Sequence, residues 1–342
     1  MSPVNRVTIF DVAREAGVAI STVSTALSGG PGVSDATRAR VRGIAQSMGW
    51  VPSMRGRSLV SKRAWAVGLL IQRPATVLEA DPFFSGFIAG VEAVLDEAGY
   101  ALLLQFADSA QQVLERLPRW ALGGVVDGVF LTDVEVEDAR YELVRDLGLP
   151  AVAINTPVWH ESLCPVSQDT LGGLRELMDH LIRLGHRRIG HVSGPPQFLH
   201  SGQRETVWRE ALAAAGLAEG PLVRGDFTSE GGVRAADLLL RGPEWPTAVV
   251  CANDLTAIGF ISQAAELGIS VPDDISVTGF DGIQLGSYIT PSLTTVQTSP
   301  QVLGRRAAEV LLEMVAGRPV QPVEVEPAQL ILRRSTAVPP RS

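Results

Sequence analysis

The sequence predicts an α/β protein: a small all-helical module at the N-terminus, then a short basic segment, then a large body built on parallel sheets. Three observations predict it. Capped amphipathic segments fill roughly the first fifty residues, short apolar runs alternate with helical stripes from Ala66 onward, and the charge divides between the two parts. Residues 1–63 carry nine Lys or Arg against three acids, a charge of +6, so in a chain of −8 the remainder is −14. A cationic end on an acidic body suits a phosphate backbone.

The first helix is predicted to begin after Thr8, whose hydroxyl caps it while Asp11 reaches back to the free amide, a capping box. Ile9, Val12, Ala13 and Ala16 then line one face, and Gly17 turns the chain. A second helix, Ile20 to Leu27, places Val23, Ala26 and Leu27 inward and leaves Ile20, Ser21, Thr22 and Thr25 outward. A short exposed helix after a tight turn fits a major groove, and its small hydroxyl-bearing face would read bases by hydrogen bonds and apolar contact. Taken alone, the same hairpin could merely pack. The third helix starts at the cap Ser34, uses Ala36, Val41, Ile44, Ala45 and Met48 as apolar positions, and leaves through Gly49.

After Pro52, Arg55, Arg57, Lys62 and Arg63 flank Leu59 in a stretch too short and polar for a core of its own. An apolar wedge among cations is how minor-groove binders kink a base step, although an ordinary basic linker has the same composition. Gly56 disfavours a helix by up to about 1 kcal/mol, and if this segment is the hinge helix that the resemblance described below implies, it is expected to order only on DNA.

In the body, strands are predicted at residues 66–71, 101–106, 128–132, 151–155, 188–193, 248–252 and 277–280. Unbroken apolar runs of this length suit strands covered on both faces. Between the first two, Phe84, Phe87, Ile88, Val91, Val94 and Leu95 form one helical stripe, a β-α-β pattern with right-handed crossovers. One sheet or two would satisfy the pattern. Leu184–Ile189 and Pro291–Val296 read as joints between halves.

Composition narrows the function. Two cysteines, Cys164 and Cys251, match no metal or redox spacing and suit a reduced cytoplasm; no signal core or long uncharged apolar span points to a membrane. His160, His180, His186, His191 and His200 show no metal-ligand spacing, and no dinucleotide fingerprint, Walker loop or nucleophile elbow is present, so an α/β enzyme is the remote alternative. No cofactor or metal is implied.

Val7–Val18 (VTIFDVAREAGV), Thr22–Ser28 (TVSTALS), Val33–Arg38 (VSDATR) and Gly49-Trp-Val-Pro52 together resemble the lactose and galactose repressor family of bacterial transcription regulators. The resemblance implies that Ile20, Ser21 and Thr25 read bases and that Leu59 enters the minor groove from a hinge helix. The candidate DNA contacts are thus Thr8, Ile20, Ser21, Thr22, Thr25, Ser34 and Arg38, with Arg55, Arg57 and Leu59. Two departures stand out: Thr25 replaces a usual arginine, and Ala19 a usual serine cap, at about 1 kcal/mol of helix stability.

For the body, the resemblance implies a periplasmic-binding-protein-like core of two parallel-sheet subdomains, crossed three times by the chain, with a small-molecule effector in the cleft between them. The expected division is residues 1–50 for the helix-turn-helix domain, 51–63 for the hinge, about 64–186 with 294–320 for one subdomain, and about 187–293 with 321–342 for the other. Asn253 and Asp281 follow predicted strands, where polar groups can hold a ligand. Asp254 reads instead as a helix cap. The resemblance adds Arg204 as a polar clamp and Phe84 and Phe227 as apolar walls, with Val207 able to reshape the pocket. The implied partners are double-stranded operator DNA, an effector (a sugar ahead of a nucleobase) and a second copy of the chain, with the helix from Phe84 to Leu95 as one candidate homodimer contact. A protein partner in place of the metabolite is the alternative.

Overall fold

The computed structural model describes residues 7–50, 63–75, 81–242 and 245–340. Its contacts divide the chain into two units between Arg63 and Ala64. Arg55, Gly56, Arg57 and Leu59, the proposed wedge segment, lie outside the described residues.

In the first unit, helix α1 (Ile9–Ala16) has the full capping box: the Asp11 amide donates to Thr8 Oγ1 at 3.4 Å, and the Thr8 amide donates to Asp11 Oδ2 at 3.0 Å. The Thr8 hydroxyl, donating to Asp11 Oδ2 at 2.7 Å, and then the Thr8 amide hold the Asp11 carboxyl below the usual carboxylate range. Gly17, at φ +64°, ends the helix in the left-handed conformation that glycine tolerates best. Helix α2 (Ile20–Ser28) starts at Ala19 with no side-chain cap, while α3 (Asp35–Ser47) starts at Ser34, whose hydroxyl accepts from the Thr37 amide. Val12, Val23, Ala26 and Val41 are fully buried where the three helices meet. Ala36, expected on this inner face, is exposed.

The second unit holds two parallel sheets and one antiparallel pair. In the first sheet the strands are β1 (Ala66–Ile71), β2 (Ala101–Phe106), β3 (Val129–Leu131), β4 (Ala151–Ile154), β5 (Leu163–Gln168) and β11 (Val323–Val325), in the order β11-β5-β4-β3-β1-β2. The second contains β6 (Ile189–Ser193), β7 (Leu222–Arg224), β8 (Ala248–Cys251) and β9 (Ser276–Thr278), ordered β7-β6-β8-β9. β10 (Thr295–Gln297) pairs antiparallel with β12 (Gln329–Ile331). Both cysteines are buried and unpaired.

This pairing shifts the expected subdomain boundaries. The helix Leu171–Leu184 buries Leu174, Leu177, Met178 and Leu181 against Ile189, Ala248 and Val250, so it belongs to the second subdomain and the first crossover follows Gln168, not residue 186. Leu184–Ile189 is a helix-to-strand turn inside that subdomain. β10 stays with the second subdomain through bridges Thr278 to Thr294 and Asp281 to Gln297, which moves the second crossover beyond Gln297. Val323–Val325 pairs with β5 of the first sheet, so the third crossover lies after Val325 instead of near residue 320.

The stripe Phe84, Phe87, Val91 and Leu95, on the helix Pro82–Ala98, is buried in the first subdomain's core. A second face of the helix meets the helix Pro300–Val315 through glycines: a Cβ on Gly90 would lie 2.0 Å from the Gln301 carbonyl oxygen, and one on Gly304 2.1 Å from that of Phe87. Overpacking at so close a backbone contact costs about 3 kcal/mol. Gly90→Val should therefore lower stability by about 3 kcal/mol in urea denaturation followed by circular dichroism, whereas an unchanged midpoint would contradict the close crossing.

Candidate functional site

Parallel strands finish on one edge of their sheet, and in the second unit the ends of both sheets face one cleft of about 740 Å³, its open mouth included. From the first subdomain come Arg73, Asp81, Phe84, Thr132, Asp133 and Asn155, following β1, β3 and β4 or opening the helix Pro82–Ala98. The second contributes His200, Gln203 and Arg204 from the helix Leu199–Ala214, with Phe227, Asn253 and Asp281 just past β7, β8 and β9. All five expected effector residues, Phe84, Arg204, Phe227, Asn253 and Asp281, line this cleft.

The backbone is strained where it turns into the cleft. Asp133, Asn155, Phe227 and Asp281 have φ of +46°, +55°, +67° and +107°, values that cost a non-glycine residue about 1–3 kcal/mol. Gly194 makes room for Phe227: a Cβ there would lie 2.1 Å from the ring.

Arg73 is bound in two-pronged fashion by Asp133, Nε to Oδ2 at 2.7 Å and Nη2 to Oδ1 at 2.8 Å. Its guanidinium lies 5.0 Å and 4.9 Å from the ring centroids of Phe198 and Phe227. Burial opposes the Arg73 charge, but Asp133 outweighs it and the pKa rises. Asp133 is itself steadied from behind, since its carbonyl accepts from Nη2 of Arg140, a buried arginine paired with Asp138.

Arg204 and Asp281 are different, because part of each is left without a partner. Arg204 donates through Nη1 to the Ala252 carbonyl at 2.5 Å and lies 3.7 Å from the Phe280 ring centroid, but its Nε is buried with no hydrogen-bond partner. Among the described residues no hydrogen bond reaches the Asp281 carboxylate, and burial raises its pKa well above the ordinary value despite Arg204. Thr132 Oγ1 is a further buried atom without a partner. A polar ligand seated here would satisfy groups that otherwise cost about 1–3 kcal/mol each.

The cap role read for Asp254 falls to Asn253, which also lines the cleft, whereas Asp254 does neither. The cap of the helix Asp254–Glu266 is Asn253, whose Oδ1 accepts from the Thr256 amide at 3.0 Å while Nδ2 donates to the Phe227 carbonyl at 2.9 Å. Asp254 instead binds Thr295 Oγ1 at 2.6 Å and the Ile283 amide at 2.7 Å, and burial pushes its carboxyl up to about 6. Val207 is buried beside Trp208 in the core and does not line the cleft.

Arg73, Asp133, Asn155 and His200 were not singled out as site residues from the sequence. Arg73 and Asp133 follow a predicted strand by two positions and by one, and Asn155 is the last residue of another, close to the criterion that pointed to Asn253 and Asp281. One side of the cleft is already closed by backbone: the Leu199 amide donates to the Val134 carbonyl at 2.9 Å, and the Val136 amide to that of Gln197 at 3.1 Å. Phe198 and Phe227 stack on His200, with ring centroids 5.6 Å and 5.4 Å away.

In the first unit, Ile20 and Ser21 are exposed on α2, with Thr22 and Thr25 half-buried. Thr25 Oγ1 donates to the Ser21 carbonyl at 2.9 Å, which commits its proton inside the helix. Thr8 and Ser34 act as caps, and Arg38 Nη2 donates to the Gly30 carbonyl at 2.9 Å, bracing the turn after α2. Among the described residues no cluster of three or more His, Cys, Asp or Glu could hold a metal, and no helix is long and apolar enough to cross a membrane.

Residues 8–53 match the family described as bacterial regulatory proteins, lacI family, and residues 178–336 match the periplasmic binding protein-like domain. The chain is 34% identical to the HTH-type transcriptional regulator CelR of Thermobifida fusca, over 96% of this chain and 98% of CelR. It is also 34% identical to the HTH-type transcriptional repressor CytR of Escherichia coli (strain K12), over 97% of each. The solved transcriptional regulator CelR-cellobiose complex superposes with a TM-score of 0.72 at 32% identity, covering 96% of this chain and 100% of that one.

Burial first, then the Arg204 charge, lowers the His200 pKa to about 3, against about 6.5 for a free imidazole. The ring should therefore stay neutral, and its ¹⁵N shifts should not titrate between pH 8 and pH 5. A midpoint near 6.5 would contradict this packing.

Proposed function

The chain belongs to the lacI family of bacterial regulatory proteins, and on that premise we propose that it is a DNA-binding transcriptional repressor whose operator affinity is set by a neutral, polyhydroxylated small molecule. The observation that carries the effector reading is the pair of incompletely satisfied groups, Arg204 Nε and the Asp281 carboxylate, in a cleft walled by Phe84 and Phe227. Vicinal hydroxyls both donate and accept, so they can serve both groups, while apolar sugar faces suit the rings. An anionic ligand would meet Asp81 and Asp281 with Arg204, among the described residues, the one cleft arginine not already bound to a carboxylate, since Arg73 is held by Asp133; a saccharide needs no net charge to pair with either kind of group. A sugar is favoured over a nucleobase by the run of hydroxyls it offers to these groups and by the cellobiose held by the similar CelR complex.

On this reading the protein is a regulator, with no catalytic residue and no cofactor. A homodimer reads a pseudo-palindromic operator, each subunit placing Ile20, Ser21, Thr22 and Thr25 in a major-groove half-site. Thr8, Ser34 and Arg38, with Arg55 and Arg57, fix the register on phosphates, and Leu59 wedges the central step. Effector binding changes the angle between the subdomains and thereby the operator affinity.

The test is calorimetric titration of the full chain with cellobiose, other small saccharides and nucleosides. It is joined to footprinting on an operator selected from random DNA. A saccharide should bind and shift operator affinity; silence from both ligand classes would overturn the effector reading. Asp281→Ala should lose about 100-fold in saccharide affinity, the cost of about 3 kcal/mol for a charged hydrogen bond, while operator binding without saccharide stays unchanged. A normal saccharide response in that variant would remove Asp281 from the site. Leu59→Ala should weaken operator binding and reduce bending in a circular-permutation gel assay; undiminished bending would sink the wedge role.

A further inference from the structure

Three segments join the two subdomains, between Gln168 and Leu171, Gln297 and Pro300, and Val325 and Gln329. Three separate short links could each flex on their own. One side chain connects them. Gln168, the last residue of β5 and only 6% exposed, accepts through Oε1 from the Ser299 amide at 3.1 Å and donates through Nε2 to the Glu326 carbonyl at 2.8 Å. Ser299 is in the second crossover and Glu326 in the third. A backbone N–H on one side and a carbonyl on the other permit only one amide orientation.

Gln168 also reaches the cleft. Its own amide donates at 2.9 Å to Oδ1 of Asn155, a cleft-lining residue held at φ +55°. One residue on, the Asp169 carbonyl accepts from the Ala328 amide at 2.8 Å, which with the Gln168–Glu326 bond joins the first and third crossovers twice, while Asp169 Oδ1 accepts from the Leu171 and Gly172 amides at the start of the next helix. The side chain of Gln168 does not itself line the cleft.

We propose that Gln168 is a positioning residue that clasps the three crossovers into a single hinge and links that hinge, through Asn155, to the effector cleft. Clasped segments bend about one axis, so closure over a ligand becomes one rotation of the second subdomain instead of three independent flexures. Chemistry restricts the position. A leucine removes the partners of a half-buried N–H and of the Glu326 carbonyl, and a glutamate keeps the acceptor for Ser299 but cannot, when ionised, donate to Glu326. The link to closure rests on the proposed effector reading. The clasp itself can be tested without effector or operator, so the two ideas fail separately.

The test is residue-level hydrogen exchange on the ligand-free full chain. In Gln168→Leu the amides of Ser299 and Ala328 should both exchange at least about 10-fold faster, the equivalent of 1.4 kcal/mol, with Leu69 and Val250 inside the sheets unchanged. In Gln168→Glu, which keeps the acceptor, Ser299 should remain protected while Ala328 still loosens. That split is not expected of a residue that only fills space, and it carries the test if the leucine variant fails to fold. Acceleration at Ser299 alone in Gln168→Leu would overturn the clasp. So would identical behaviour of the two variants at both amides, or equal acceleration at Leu69 and Val250.

Discussion

The cleft depends on one topological constraint: both large sheets are parallel, so their strands all end on the same edge. Residues as far apart in sequence as Arg73 and Asp281 meet because each follows a strand that stops there. The cost is buried charge. Arg73 is balanced by Asp133, which is held by the buried Arg140–Asp138 pair, and the aromatic rings of Phe198 and Phe227 take up the guanidinium face. Breaking such a pair from one side is strongly destabilising, whereas intact pairs serve mainly to hold geometry. Arg73 and Asp133 therefore act as frame, which leaves Arg204 and Asp281 as the groups with capacity to spare.

That division of labour joins the cleft to the links between subdomains. Asn155 sits at a strand end in the cleft, yet its side chain is engaged by the backbone of Gln168, where the chain first crosses over. On another side, the backbone bonds joining residues 134 and 136 to residues 199 and 197 already bring the subdomains together. A cleft fastened in two places needs little rearrangement to close. The energy of ligand binding can then be spent on a rotation instead of on ordering loops.

Much of the fold was legible in the sequence, for identifiable reasons. β1 and β2 coincide with the predicted runs at 66–71 and 101–106 because no charged residue or proline and only one polar side chain, Gln105, breaks them, and α1 is fixed by Thr8, Asp11 and Gly17. β5, with Pro165 inside it and polar residues at its end, has no such signature, and β7 and β10 to β12 are only three residues long. Missing β5 and β11 displaced the crossovers, since strand pairing across the chain, not local pattern, decides where a subdomain ends. In the cleft, Arg204, Phe84 and Phe227 came from family resemblance, and Asn253 and Asp281 also from their position after strands. The Arg73–Asp133 pair had no local mark, because sixty residues separate two groups that only the folded sheet brings together. Asn253 was distinguished from Asp254 only by the bonds of the cap.

The most direct measurement is a crystal structure of the full chain grown with the saccharide that binds it in solution. The account predicts hydroxyls bridging Arg204 Nε and the Asp281 carboxylate, with Phe84 and Phe227 against the sugar and Arg73 still bound to Asp133. A saccharide seated elsewhere, or one that displaces Asp133 from Arg73 and leaves Asp281 untouched, would contradict it.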